Sequence, residues 1–87
     1  MKSVRFSPKA LAEMVYWVHN NIKVYDKIWE LLKDISRNGA DKGIGKPERL
    51  KYQKYWSRRI TGEHRLIYDV TEQYIHVISC KGHYEDK

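Results

Sequence analysis

Tyr55-Trp56-Ser57-Arg58-Arg59-Ile60-Thr61-Gly62-Glu63-His64-Arg65-Leu66-Ile67-Tyr68-Asp69-Val70 is the stretch on which the fold turns. Tyr55 to Ile60 and His64 to Val70 are rich in aromatic and branched side chains, and Thr61-Gly62-Glu63 between them supplies a turn. A third run of the same character, Tyr74 to Lys81, follows after Thr71-Glu72-Gln73. Three strands this close in sequence form an antiparallel meander most simply. Upstream, the period changes. Lys2-Ser3-Val4-Arg5-Phe6 alternates like a short strand, and Ser7-Pro8 reads as an N-cap followed by proline at the first helical position. Leu11, Met14, Val15 and Val18 then recur at helical spacing, which predicts a helix to about His19. Asn20-Asn21 interrupts it. Val24, Ile28, Leu31, Leu32 and Ile35 form the stripe of a second helix, with Asn38-Gly39 as its stop. The segment from Gly39 to Pro47 holds three glycines and a proline and reads as a loop. The expected architecture is α+β: two N-terminal helices packed on one face of a four-stranded, mainly antiparallel sheet. Alternate residues of the strands leave the other face available for function.

Eighty-seven residues suit one domain spanning 1–87, since two would each be too short to bury a core. Hydrophobic residues make up 41% and charged residues 32%, an ordinary globular balance rather than a disordered one. No apolar run approaches the roughly 18 residues of a membrane span, and Met1-Lys2-Ser3-Val4 opens no signal peptide. The single Cys80 excludes an internal disulfide framework and thiolate metal clusters, which fits a reducing cytoplasm. His19, His64, His76 and His83 show no close metal-ligand pairing, Gly43-Ile44-Gly45 lacks phosphate-loop spacing, and no cofactor is expected.

The net charge is +6, and residues 42–65, with eight basic and two acidic side chains, carry the whole excess. Such a localised excess fits a polyanionic partner, and equally a solvated basic loop. Within and beside it stand Glu48, the three arginines Arg58, Arg59 and Arg65, and His83-Tyr84 beyond the last strand. A carboxylate, an imidazole and a guanidinium together meet the needs of RNA cleavage by the substrate's own 2′-OH. One takes the 2′-OH proton, one protonates the leaving 5′-oxygen, and the fixed cation holds the charge that builds on phosphorus. Most small basic domains contain all three residue types, so residue types alone leave a silent nucleic-acid-binding module equally open.

Longer motifs narrow the choice. Gly45-Lys46-Pro47-Glu48-Arg49-Leu50-Lys51, the run Tyr55 to Tyr68, and Cys80-Lys81-Gly82-His83-Tyr84 resemble the YoeB/Txe branch of the RelE/ParE toxin superfamily. Asp26-Lys27-Ile28 and Leu32-Lys33-Asp34-Ile35 extend the likeness into the second helix. The resemblance implies a RelE/ParE-like microbial RNase fold and the toxin of a type II toxin-antitoxin system. It implies a ribosome-dependent endoribonuclease that cuts mRNA in the decoding site, is cytoplasmic, and is neutralised by an acidic Phd/YefM-type antitoxin. A homodimer or a toxin-antitoxin hetero-oligomer fits the same pattern. By resemblance Glu48 is the general base, His83 the general acid and Arg65 the transition-state cation. Lys51, Arg59 and Tyr84 take supporting or RNA-contacting places, with Lys46 and Lys54 in the same basic loop. The chain departs from the family pattern in a shortened segment at Tyr52-Gln53-Lys54-Tyr55 and in continuing past Tyr84 as Glu85-Asp86-Lys87. A ParE-like inhibitor of DNA gyrase is the alternative on a related scaffold.

Residue by residue, plainer roles are also expected. Arg58 and Arg59 must face opposite sides of a strand, and Arg58 is assigned to bracing the surface. His64 is expected as a structural hydrogen-bonder, and His76 as structural or solvated. His19 suits a helix C-terminus. Trp56 and Tyr68 are expected in sheet-core packing, and Cys80 as a small buried hydrophobe.

Overall fold

Ser7 begins the helical half as its sequence requires. Its hydroxyl oxygen accepts the Ala10 N–H at 3.0 Å, and Pro8 occupies a position whose N–H would have no partner. The computed structural model describes residues 1–83. Seven elements follow in order: β1 (Ser3–Phe6), α1 (Pro8–Asn20), α2 (Ile22–Asn38), β2 (Glu48–Arg49), β3 (Trp56–Arg59), β4 (Arg65–Val70) and β5 (Tyr74–Ser79). Asn21 caps α2 through its side-chain oxygen, and the Gly39 N–H closes that helix onto the Ile35 carbonyl.

The stripe expected on α2 is the one observed. Val24, Ile28, Leu31, Leu32 and Ile35 are all buried, and burying such a side chain stabilises by about 1.5–3 kcal/mol. On α1 the buried face is rotated from the expected one. Ala10, Met14 and Trp17 are buried, whereas Leu11, Val15 and Val18 are 55%, 52% and 43% exposed. Trp17 decides the rotation: its ring is the largest apolar surface on the helix, and its Nε1–H finds the Cys80 carbonyl at 3.0 Å inside the core. The displaced aliphatics line an open groove with Phe6, Tyr25 and Trp29.

The sheet has five strands in the order β1-β5-β4-β3-β2, not the expected four. β1 pairs parallel to β5, and the remaining pairs are antiparallel. The additional strand lies just beyond the glycine-rich loop, where Glu48 and Arg49 pair with Ser57 and Trp56. Two residues are too few to show alternation, which is why the sequence hides it. The helices cover the face that carries Leu66, Tyr68, Ile75 and Val77, all fully buried.

Arg58 shares that face, and its expected place at the surface is overturned: it is 0% exposed. Each of its five N–H groups has an acceptor. Nε donates to the Tyr68 hydroxyl, Nη1 to the Asp34 carboxylate and the Ile44 carbonyl, and Nη2 to the carbonyls of Gly39 and Lys42. Tyr68 in turn donates to the Ala40 carbonyl at 2.6 Å. The guanidinium thus supplies, from inside, the donors that loop 39–45 cannot find in a ladder. Gly45 completes the seating. Its carbonyl accepts the Arg59 N–H at 2.7 Å, its φ is +84°, and a Cβ there would stand 2.9 Å from a Leu31 methyl. Burial works against ionising Asp34, but hydrogen bonds from Arg58, the Ile44 N–H and Asn38 outweigh it and hold the carboxyl below its ordinary range.

Arg58→Ala is expected to lower the free energy of unfolding by about 3–5 kcal/mol, because it strands a carboxylate and several carbonyls, and urea denaturation measures this. A carboxyl depressed in the folded state contributes stability above its unfolded value of 3.8 and loses that contribution as pH falls further. Acid titration of stability should therefore be flatter in Asp34→Asn than in the wild type.

Candidate active site

On the face away from the helices, strand register determines which side chains meet. Glu48 lies opposite Ser57, and Ser57 opposite Ile67; two residue pairs further, Arg59 lies opposite Arg65. Directly opposed residues share a face, so Glu48, Ser57, Arg59, Arg65 and Ile67 stand together. Ile67, 1% exposed, is the apolar floor of a cleft enclosing about 370 Å³. Its walls are Glu48, Arg49, Leu50, Lys51, Ser57, Arg65 and His83. The β4–β5 pairing shifts register between Ile67 and Tyr68, the kind of irregularity that re-aims side chains at the rim of a site.

His83 reaches this cleft from beyond the end of β5. The Cys80 N–H donates to the Glu13 carboxylate at 2.8 Å, and the Cys80 carbonyl accepts from Trp17. Further on, the Arg65 N–H donates to the Gly82 carbonyl at 3.1 Å, and Gly82 donates its own N–H to His64 Nδ1 at 2.8 Å. His64 is thus the structural hydrogen-bonder expected.

The electrostatics of the cleft centre on Arg65. Its Nη1 is buried and has no hydrogen-bond partner, although a buried unpaired donor costs about 1–3 kcal/mol and a charged one more. Arg59 directly across the strand pair adds like charge at close range. An anionic oxygen entering the cleft would satisfy the donor and relieve the repulsion together. Glu48 and His83, both exposed on the same cleft, add a carboxylate and an imidazole.

Of the residues expected at a site, Glu48, Lys51, Arg65 and His83 are brought to one cleft. Arg59 is exposed beside it, facing Arg65. Lys46 and Lys54 are exposed on the flanking loops and do not line the cleft. Tyr84 lies outside the described residues. Arg49, Leu50, Ser57 and Ile67 also line the cleft, beyond the residues expected there; the alternation of Ser57 with Arg59, two positions apart, is the signal in the sequence for Ser57. Tyr68 is fully buried and Trp56 half-buried against the core, so neither offers an open stacking face. His76 lies on β5 against Tyr74, away from the cleft, and His19 is exposed in the last turn of α1. Burial, aided by the Glu13 carboxylate, pushes the Cys80 thiol up to about 12, which leaves it without thiolate chemistry near neutrality. Among the described residues, no three His, Cys, Asp or Glu side chains gather to hold a metal ion, and no helix is long and apolar enough to cross a membrane.

Comparison with known proteins bears on this geometry. Residues 6–84 match the family described as YoeB-like toxin of bacterial type II toxin-antitoxin system. Toxin YoeB of Escherichia coli K12 is 41% identical over 81 residues, covering 91% of this chain and 95% of that protein. A YoeB dimer from Staphylococcus aureus superposes with a TM-score of 0.92 at 49% identity, over 95% of this chain and 98% of that one. The toxin chain of a heterotetrameric YoeB-YefM complex from the same organism gives a TM-score of 0.90 at 50% identity, over 97% and 99%.

Inorganic sulfate should raise the melting temperature of the wild type more than chloride at equal ionic strength does. At ten times the dissociation constant the gain is about 1.4 kcal/mol. Arg65→Met should lose the sulfate-specific part, as read by thermal melts of both proteins in both salts.

Proposed function

Because this chain belongs to the YoeB-like toxins of bacterial type II toxin-antitoxin systems, we propose that it is an endoribonuclease cutting ribosome-bound mRNA by general acid-base catalysis. The observation that carries the reading is the buried, unpartnered Arg65 Nη1 on the same cleft as Glu48 and His83. A phosphate-binding module would gain nothing from a carboxylate in a basic cleft, and a gyrase inhibitor would need no acid-base pair. A nuclease needs both.

Glu48 takes the proton of the 2′-OH, and the freed oxygen attacks the adjacent phosphorus. As that bond forms, the bond to the 5′-oxygen breaks, and His83, protonated at the start, delivers its proton to the leaving oxygen. The products are a 2′,3′-cyclic phosphate and a 5′-hydroxyl. Arg65 holds the non-bridging oxygens, whose charge grows in the transition state, through a fork that lysine cannot reproduce. Lys51, Arg59 and Tyr84 support the substrate, with Lys46 and Lys54 on its path. Both proton-transfer groups sit on an exposed rim. That openness supports dependence on the ribosome, which would present the message in a fixed conformation and supply the orientation a closed pocket otherwise gives. Such a substrate places the protein in the cytoplasm. The partner proposed is a Phd/YefM-type antitoxin with an acidic segment that is disordered alone and folds across the basic cleft. Toxin dimers and toxin-antitoxin heterotetramers, the forms of the Staphylococcus relatives, are the assemblies expected.

Primer extension on translating mRNA, with and without ribosomes, tests the activity. His83→Gln should lose about 10²–10⁴-fold in cleavage while keeping ribosome binding. Equal loss of binding and cleavage would make His83 a contact residue. Arg65→Lys keeps charge without the fork, so cleavage should fall steeply while binding at low salt holds. Near-normal cleavage by that variant would reduce Arg65 to a phosphate anchor.

A further inference from the structure

Beyond Ser79 the last strand leaves its ladder, yet the residue that must donate a proton lies four positions on. Gly82, immediately before His83, is held on both sides. Its carbonyl accepts the Arg65 N–H at 3.1 Å, and its N–H donates to His64 Nδ1 at 2.8 Å. Its φ of +83° makes the turn that sends the next residue toward the cleft. We propose that His64 is a positioning residue for His83, and that the Gly82 clamp sets the distance between His83 and Arg65. This rests on the nuclease reading above, in which His83 is the acid.

The side chain of His64 is itself immobilised. Its ring stands edge-on to the Trp17 indole, with centroids 4.7 Å apart, and Trp17 is anchored through the Cys80 carbonyl. Its backbone is fixed as well: the carbonyl accepts the N–H groups of Ile60 and Thr61, and the N–H donates to the Thr61 hydroxyl oxygen. A backbone N–H can only donate, so Nδ1 is the bare nitrogen and the ring proton sits on Nε2. One tautomer of a neutral imidazole is therefore written into the fold. The adjacent pair His64-Arg65 then serves both ends of the reaction. Arg65 offers its guanidinium to the phosphate, while its own N–H and the neighbouring ring hold the segment bearing the acid.

Two variants separate positioning from packing. His64→Phe keeps an aromatic ring against Trp17 but has no acceptor. His64→Asn gives up the ring but places an amide oxygen near the position of Nδ1. With ribosome-bound mRNA, His64→Phe should lower kcat by about 10–100-fold at little-changed KM, since displacing a catalytic group by about 1 Å can cost 10²-fold. His64→Asn should recover most of that loss. A packing role predicts the reverse order, with His64→Asn the worse enzyme, and that result would overturn the proposal. Two measurements need no activity, and the first of them needs no variant. In wild-type protein labelled with 15N, a scalar coupling between the Gly82 amide nitrogen and His64 Nδ1 should be detectable across the hydrogen bond, and its absence would overturn the proposal. The His83 ring resonances should shift in His64→Phe and return toward wild type in His64→Asn. If these signals behave as stated while no RNA is cut, the clamp stands and the nuclease reading falls.

Discussion

One guanidinium, sealed inside the protein, carries the connection between core and site. Arg58 lies where a leucine would be expected, and replaces apolar contact with five hydrogen bonds to a hydroxyl, a carboxylate and three loop carbonyls. Segment 39–45 has little apolar surface to bury and no ladder of its own, so without those donors its carbonyls would face a desolvated interior. With them, the loop has one seat, Gly45 settles against Leu31, and Pro47 hands the chain to β2 at a fixed point. Glu48 stands opposite Ser57 because of Arg58, ten positions after Glu48 in the chain, which solvent never touches.

The opposite face is built on the contrary principle. Where the core neutralises the buried Arg58 completely, the cleft leaves Arg65 with an unpaired donor and sets Arg59 across from it. Like charges on adjacent strands destabilise the folded chain, and the packing of α2 on the sheet must offset that cost. The fold therefore keeps its two halves distinct: helices and inner sheet face supply stability, and the outer face holds charge in a state that an anion improves. Cys80 and Glu13 mark the boundary, tying the chain to α1 just before it crosses from one side to the other.

Much of this is readable from residue order, and the exceptions have physical causes. The α2 stripe is legible because five branched aliphatics stand against polar neighbours. The α1 stripe misleads because apolar residues occur around most of that helix, and the choice of face falls to a tryptophan whose N–H needs a distant carbonyl. β2 has no period to detect. Arg58 reads as a surface cation because three of its five acceptors are backbone carbonyls, which carry no residue-type signal. For the cleft, the motif around Glu48, Arg65 and His83 names residues that line one pocket, whereas residue types alone do not single them out. The register that assembles Glu48, Ser57 and Ile67 in a row becomes visible with strand pairing, because it depends on which strands are neighbours rather than on their composition.

The parallel pairing of β1 with β5 has a consequence for the order of events in synthesis. The first strand has no partner until the last is made, and the Ser7 hydroxyl that caps α1 also donates to the Ile78 carbonyl, 71 positions later. Such distant pairings are slow to close, and a chain leaving the ribosome offers them only at the end. The two helices and the β3–β4 hairpin can assemble early, but Glu13, Trp17 and His64 wait for Cys80 and Gly82. The cleft is consequently the last feature to form, and a chain stopped before β5 would have neither a closed sheet nor His83. Synthesis itself keeps the unfinished protein without a complete cleft.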